Sequence, residues 1–194
     1  MLMNAGDGIT THPAAASTKI IHREPSMRKQ LIAAVLISSA SMALWAATPA
    51  TKGARVGEWT MDYDAAKTLA KDKNLPILIN FTGSDWCGWC KLMDRQVFSK
   101  PEWKAYAKDN LVLVFIDFPQ DKTLVPMHLV SRNDALARQF GVRGFPTYFL
   151  LGADGTRRLG QLGASHEATP ASFIADIRKL LSVEEASRMP EPAP

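Results

Sequence analysis

The chain holds two cysteines, Cys87 and Cys90, with only Gly88 and Trp89 between them. Thiols at i and i+3 of a helix lie about 5–6 Å apart, which is disulfide range, so such a pair closes without backbone movement. If the first cysteine opens the helix, its sulfur also faces unsatisfied N–H groups and the positive helix end, and both stabilise a thiolate. A thiol so placed titrates between about 3.5 and 7.5 instead of near 8.5. Cys87 is then the attacking nucleophile and Cys90 the resolving thiol that releases a mixed disulfide. A static disulfide and half of a metal site stay open on this spacing alone.

A second constellation involves Met127 and His128. Two thiolates, an imidazole and a thioether suit copper, so Cys87, Cys90 and His128 could form a non-enzymatic carrier site. The bland alternative makes His128 an exposed loop residue. A zinc site would need four ligands, and Cys87, Cys90, His128 and His166 are all that the chain offers. Trp59, Trp103 and Tyr106 read as core. Trp89 is different, because its neighbours must present Cys87 to solvent. Its ring either forms a docking surface with Phe145 or folds down over the domain.

The elements that must position these groups follow from periodicity. Trp59–Lys73 reads as a helix, with Met61, Ala65, Ala66, Leu69 and Ala70 at three- and four-residue steps, Asp62 or Asp64 at its start and Asn74 at its end. Residues 76–81 form a continuous apolar run suited to a buried central strand. A loop over 82–86 leads into a helix from Cys87 to about Phe98, and Pro101 breaks it before 102–108 resumes. Residues 111–117 give a second buried strand. A long loop over 118–130 precedes a short helix, Asn133–Phe140, capped by Asn133 and ended by Gly141. Residues 147–151 and 157–160 form a hairpin about Asp154-Gly155. Pro170 opens a last helix whose apolar face carries Phe173, Ile174, Ile177, Leu180 and Leu181. The fold class is α/β: a mixed central sheet of four to five strands with helices on both faces.

Composition excludes several classes. The chain has 194 residues, 46% hydrophobic and 22% charged, with formal net charge +4, which fits one packed domain. Residues 51–194 keep a surplus of only two cations and show no basic run, so nothing speaks for nucleic acid. Ahead of them, Arg28 and Lys29 precede an apolar stretch from Leu31 to about Ala47, and small residues follow. That is the order of a secretory signal peptide, with cleavage expected after Ala43, Ala46 or Ala50; retention as a membrane anchor is the lesser alternative. No cysteine offers a lipidation site there. Residues 1–26 show no apolar periodicity and are read as an over-extended start ahead of Met27. The expected organisation is therefore 1–26 leader, 27–50 signal, 51–58 linker, 59–182 domain and 183–194 tail. Export places two thiols where disulfides form and persist.

The segment FTGSDWCGWCKLMD after an apolar strand, with VRGFPT some fifty residues later, resembles the thioredoxin superfamily over roughly residues 59–182. It is most similar to exported single-domain members with a WCxWCK-type site and an Asp-Phe-Pro loop, here Asp117-Phe118-Pro119. The resemblance implies a thioredoxin fold and a thiol–disulfide oxidoreductase with no cofactor beyond a redox-active Cys87–Cys90 disulfide. It makes Trp86 the tryptophan beside the site and Pro146 the proline held cis, with Phe145 offering its backbone to substrate. Trp86, Trp89, Phe145 and Pro146 are the expected substrate contacts; Asp85, Gly88, Lys91 and Asn80 tune the pair. Two departures stand out. Asn80 occupies the place of a buried acid that serves the second thiol, and Asn cannot take a proton. No cation sits between the cysteines, which makes the couple less oxidising. The expectation is a monomeric periplasmic enzyme that reduces or isomerises disulfides in exported clients, fed by a membrane-embedded electron donor. A disulfide-forming oxidase is the same-fold alternative; copper-carrying members space their cysteines by three residues.

Overall fold

The computed structural model describes residues 48–188. The signal expectation, apart from residues 48–50, lies outside them, as do residues 1–26 and 189–194. Among the described residues no helix is long and apolar enough to cross a membrane.

Five strands form one sheet, in the spatial order β1 (Trp59–Thr60), β3 (Val112–Asp117), β2 (Ile77–Thr82), β4 (Thr147–Leu151) and β5 (Arg158–Leu162). The central strand β2 (Ile77–Thr82) is buried at every position, as its unbroken apolar run requires when both faces are covered. It pairs in parallel with β3 (Val112–Asp117), Asn80 opposite Phe115. On its other side it pairs antiparallel with β4 (Thr147–Leu151), Asn80 opposite Tyr148. Strand β5 (Arg158–Leu162) completes the expected hairpin. The short β1 (Trp59–Thr60) pairs in parallel with β3 at the far edge.

Trp59 and Thr60 thus lie in a strand, and helix α1 spans only Tyr63–Lys73. Asp62 caps it by accepting the Ala65 N–H, and Asn74 ends it in the left-handed conformation. Residues 51–58, expected as linker, are tied to this edge: Gly57 N–H donates to Leu111 O, and Gly53 N–H donates to the Asp62 carboxylate.

Helices cover both faces. Tyr63, Ala66 and Ala70 of α1 pack with Leu136 and Phe140 of α4 (Met127–Phe140) on Ile77, Ile79 and Phe81. On the opposite face, Met93 of α2 (Gly88–Met93), Trp103 of α3 (Pro101–Asn110) and Phe173 and Ile177 of α5 (Pro170–Arg188) pack on Leu78, Tyr148 and Leu150. Between α2 and α3 the chain runs through a π-helical turn, Asp94–Phe98. Phe98 sits edge-on to Trp59, Trp103, Tyr148 and Phe173, the arrangement that ring quadrupoles favour.

The long loop is shorter than expected. A 3-10 turn covers Lys122–Leu124, and α4 begins at Met127 rather than at Asn133. Asn133 is no cap: it is buried inside α4, where its Nδ2 donates to Asp117 O and its Oδ1 accepts from Arg132. A polar residue in the inward stripe Leu129, Asn133, Leu136, Phe140 disguised the helical period. His128, expected in a loop, is an exposed residue of α4.

Candidate functional site

Cys87 stands at the N-cap of α2, and its Sγ accepts the Cys90 N–H at 3.1 Å. The two sulfurs are joined as a disulfide across a Cα–Cα distance of 5.2 Å. Cys87 is 5% exposed and Cys90 7%, so the sulfurs reach solvent only at an edge. This N-cap placement offers a Cys87 thiolate both the helix end and a specific N–H donor.

The loop 83–86 that presents Cys87 is bound to the loop after β3. Ser84 donates its N–H (2.9 Å) and its hydroxyl (2.5 Å) to the Asp117 carboxylate. The Asp85 carboxylate accepts the N–H groups of Gln120 (3.0 Å) and Asp121 (2.8 Å), and the Asp121 bond leads in holding its pKa below the ordinary range. Asp85, expected to tune the thiol pair, is thereby bound to the loop after β3. The Trp86 indole N–H donates to Phe118 O at 2.8 Å. Gly83 makes room for that ring, since a Cβ there would lie 2.5 Å from Trp86 Cε2. Lys91 Nζ donates to the carbonyl of Asp85.

Asp117 itself is buried, and burial is the main cause that raises its pKa. Nothing in the sequence ties Asp117 to Ser84, thirty-three residues earlier; only the parallel register of β2 and β3, with Thr82 opposite Asp117, brings their ends together.

Aromatic rings flank the disulfide. The Phe145–Pro146 peptide is cis. Phe145 stacks on Phe118 at 5.1 Å between centroids and meets Trp86 edge-on at 6.0 Å. Trp86 is 43% exposed. Trp89 is 44% exposed and lies against His166 with centroids 4.2 Å apart. Neither of its two anticipated positions is met in full: one side is packed on His166 and the rest is open. The His166 carbonyl in turn accepts from Gln96 Nε2 at 3.2 Å, which ties the β5–α5 loop to the π-helical turn that continues α2. His166 was considered above only as a metal ligand, and its ring contact was not readable from spacing. Gly88 has open space where a Cβ would stand.

Beneath α2, Asn80 and Tyr148 are opposed across β2 and β4 on one sheet face. Both are buried, and among the described residues neither Asn80 Oδ1 nor the Tyr148 hydroxyl has a hydrogen-bond partner. Burial pushes the Tyr148 hydroxyl far above its ordinary pKa, with Asp94 adding to the effect, so it stays protonated. Among the described residues there is no group of three or more His, Cys, Asp or Glu side chains able to hold a metal ion.

Comparison with known proteins agrees with this geometry. Residues 58–153 match the thioredoxin-like family. The disulfide bond reductase DsbH of Chlamydia pneumoniae is 33% identical over 121 residues, 62% of this chain and 71% of that protein. The thioredoxin-related protein DsbJ of the same organism is 29% identical over 107 residues, which span 54% of this chain and 30% of DsbJ. A solved structure of a DsbH oxidoreductase superposes with a TM-score of 0.60 at 30% identity, covering 75% of this chain and 98% of that one. With its CxxC disulfide at the head of α2 and a cis proline just ahead of β4, the chain belongs to the thioredoxin-like family of thiol–disulfide oxidoreductases.

Proposed function

We propose that the protein acts outside the cytosol, in the periplasm, and reduces or isomerises disulfides in other exported proteins. One observation carries the direction. Lys91, the cation that follows the pair, donates its ammonium to the Asp85 carbonyl, and the hydrogen bond described for the Cys87 sulfur is the one from the Cys90 N–H at the helix end. Weak thiolate stabilisation makes a poor oxidant. The reductase name of the Chlamydia pneumoniae relative supports the same direction.

In each turnover the Cys87 thiolate attacks a client disulfide, forms a mixed disulfide and releases one client thiolate. The Cys90 thiolate then attacks Cys87 Sγ, forming the internal disulfide and releasing the second. Two electrons pass to the client, so a donor must return two electrons to Cys87–Cys90. A membrane-embedded dithiol donor would meet that need. Trp86, Phe145 and the open part of Trp89 would receive the client chain.

The deciding measurement is the equilibrium reduction potential of Cys87–Cys90 against a defined thiol buffer. A value of about −230 to −270 mV is expected, and one near −120 mV would place the protein with strong oxidants and overturn the direction. Trp89→Ala is expected to raise KM for a protein disulfide about fivefold, the ~1 kcal/mol usual for losing an interfacial aromatic, with the melting temperature nearly unchanged. A change in melting temperature alone would remove Trp89 from the docking surface.

A further inference from the structure

The resolving step needs a base. Cys90 must shed its proton before it can attack, and Asn80, on the sheet face that α2 covers, cannot accept one. Tyr148, opposite Asn80, is held in its protonated form by burial. The strand positions therefore supply no acceptor, yet they place two unpartnered polar atoms under the helix.

One carboxylate is placed to act. Asp94 follows Cys90 by four residues, and its N–H donates to the Cys90 carbonyl. This regular helical turn puts the two Cβ atoms about 5–6 Å apart on one side of the helix. That side faces the sheet, for Cys90, Met93 and Val97 are all buried there. Asp94 lies at its margin, exposed on one side and set against the protein on the other, and its charge is felt at the Tyr148 hydroxyl. No hydrogen bond or ion pair engages its carboxylate among the described residues. Facing it are Tyr148 from β4, Lys104 from α3 and Arg95 from its own turn.

We propose that Asp94 is the proton acceptor for Cys90, supplied by the active-site helix itself in place of an acid on the central strand. In the mixed disulfide, the Cys90 thiol gives its proton to the Asp94 carboxylate. The Cys90 thiolate attacks Cys87 Sγ, the new S–S bond forms, and the client thiolate leaves, taking a proton from Asp94 or from water. Charge and electrons balance, and the client disulfide is the only oxidant. Partial burial raises the Asp94 pKa, with Lys104 and then Arg95 opposing, which brings the carboxylate closer to a thiol in basicity. Asp94 stands at the first residue of the π-helical turn. Such turns recur where a side chain is re-aimed for function.

The inference rests on the reaction proposed above but is tested independently of its direction. Reduced full-length protein is mixed with oxidised glutathione, and the decay of the Cys87–glutathione mixed disulfide is followed by rapid acid quench from pH 5 to 9. Asp94→Asn is expected to slow that decay at least about tenfold at pH 7, a modest share of what a positioned base contributes. The rate should recover towards wild type by pH 9 as the thiol ionises unaided, while Asp94→Glu keeps most of the neutral-pH rate. Alkylation of Cys87 should be unchanged in both variants. Equal decay rates and equal pH profiles in wild type and Asp94→Asn overturn the proposal. A uniform slowing at every pH, shared by Asp94→Glu, overturns it too, since that marks a structural role. A reduction potential in the oxidant range would instead remove the proposed direction and leave this result readable.

Discussion

Cys87→Ser is expected to abolish turnover, by at least about a thousandfold, because a hydroxyl at that position is neither ionised nor a leaving group. Cys90→Ser should behave differently. It keeps the nucleophile at the head of α2 but removes the thiol that resolves the adduct, so the first attack succeeds and the product stays attached. Non-reducing electrophoresis of a periplasmic extract treated with the reduced Cys90→Ser protein should show a ladder of adducts that collapses with dithiothreitol. The absence of adducts, with loss of bound copper as the only consequence, would favour the metal-carrier reading. Accumulated adducts would exclude a static disulfide, since a structural cross-link has no clients.

The second large effect concerns Asp117. Asp117→Ala removes the acceptor for both the N–H and the hydroxyl of Ser84, and stranding partly buried donors costs about 2 kcal/mol. The damage falls on the loop that presents Cys87, so urea stability and client reduction should decline together. Asp117→Asn can still accept from Ser84 and carries no charge. Burial raises the Asp117 pKa in the folded protein above the unfolded value of 3.8, so the native state binds the proton more tightly than the unfolded chain. That contribution to stability is full below the unfolded pKa and is lost as pH rises through the folded pKa. The stability of Asp117→Asn relative to wild type should therefore improve as pH rises from 4 towards 7. A difference that does not change with pH would show that the buried charge carries no penalty. Asp62 and Asp154, whose pKa values backbone N–H groups lower, act in the opposite sense, losing stability as pH falls through their folded values.

Much of this architecture is written locally in the chain. Continuous apolar runs marked β2 and β3, the Asp154-Gly155 turn marked the hairpin, and Cys-Gly-Trp-Cys carried its own chemistry into the first turn of α2. Where sequence reasoning went astray, the deciding force acted at a distance. Trp59 and Thr60 fit the helical spacing of the residues that follow but pair with Leu113 and Val114 across the sheet, and that ladder outweighed the local period. Asn133 looked like a cap because Asn favours caps; its use inside α4 depends on a carbonyl of β3 and on Arg132. The wiring around the disulfide was equally hidden. Asp85 and Trp86 stand beside the cysteines, but their partners lie more than thirty residues on, and a hydrogen bond of that range leaves no periodic trace. His166 stayed apart from Trp89 for the same reason.

The position of β2 has a consequence for the rate at which the molecule exchanges its amide protons. Strand β2 is flanked on both sides and covered above and below, so its N–H groups become exchangeable only when the whole domain opens. The loop 118–126, with exposed residues at 120–124, should exchange through local fluctuations orders of magnitude faster. Deuterium uptake should then separate into a slow centre and a fast rim, with Cys87 reached from the slow side through the short loop 83–86. The reactive sulfur is thus mounted close to the last part of the chain to let go, so repeated thiol–disulfide cycles can proceed while the scaffold beneath them never opens to solvent.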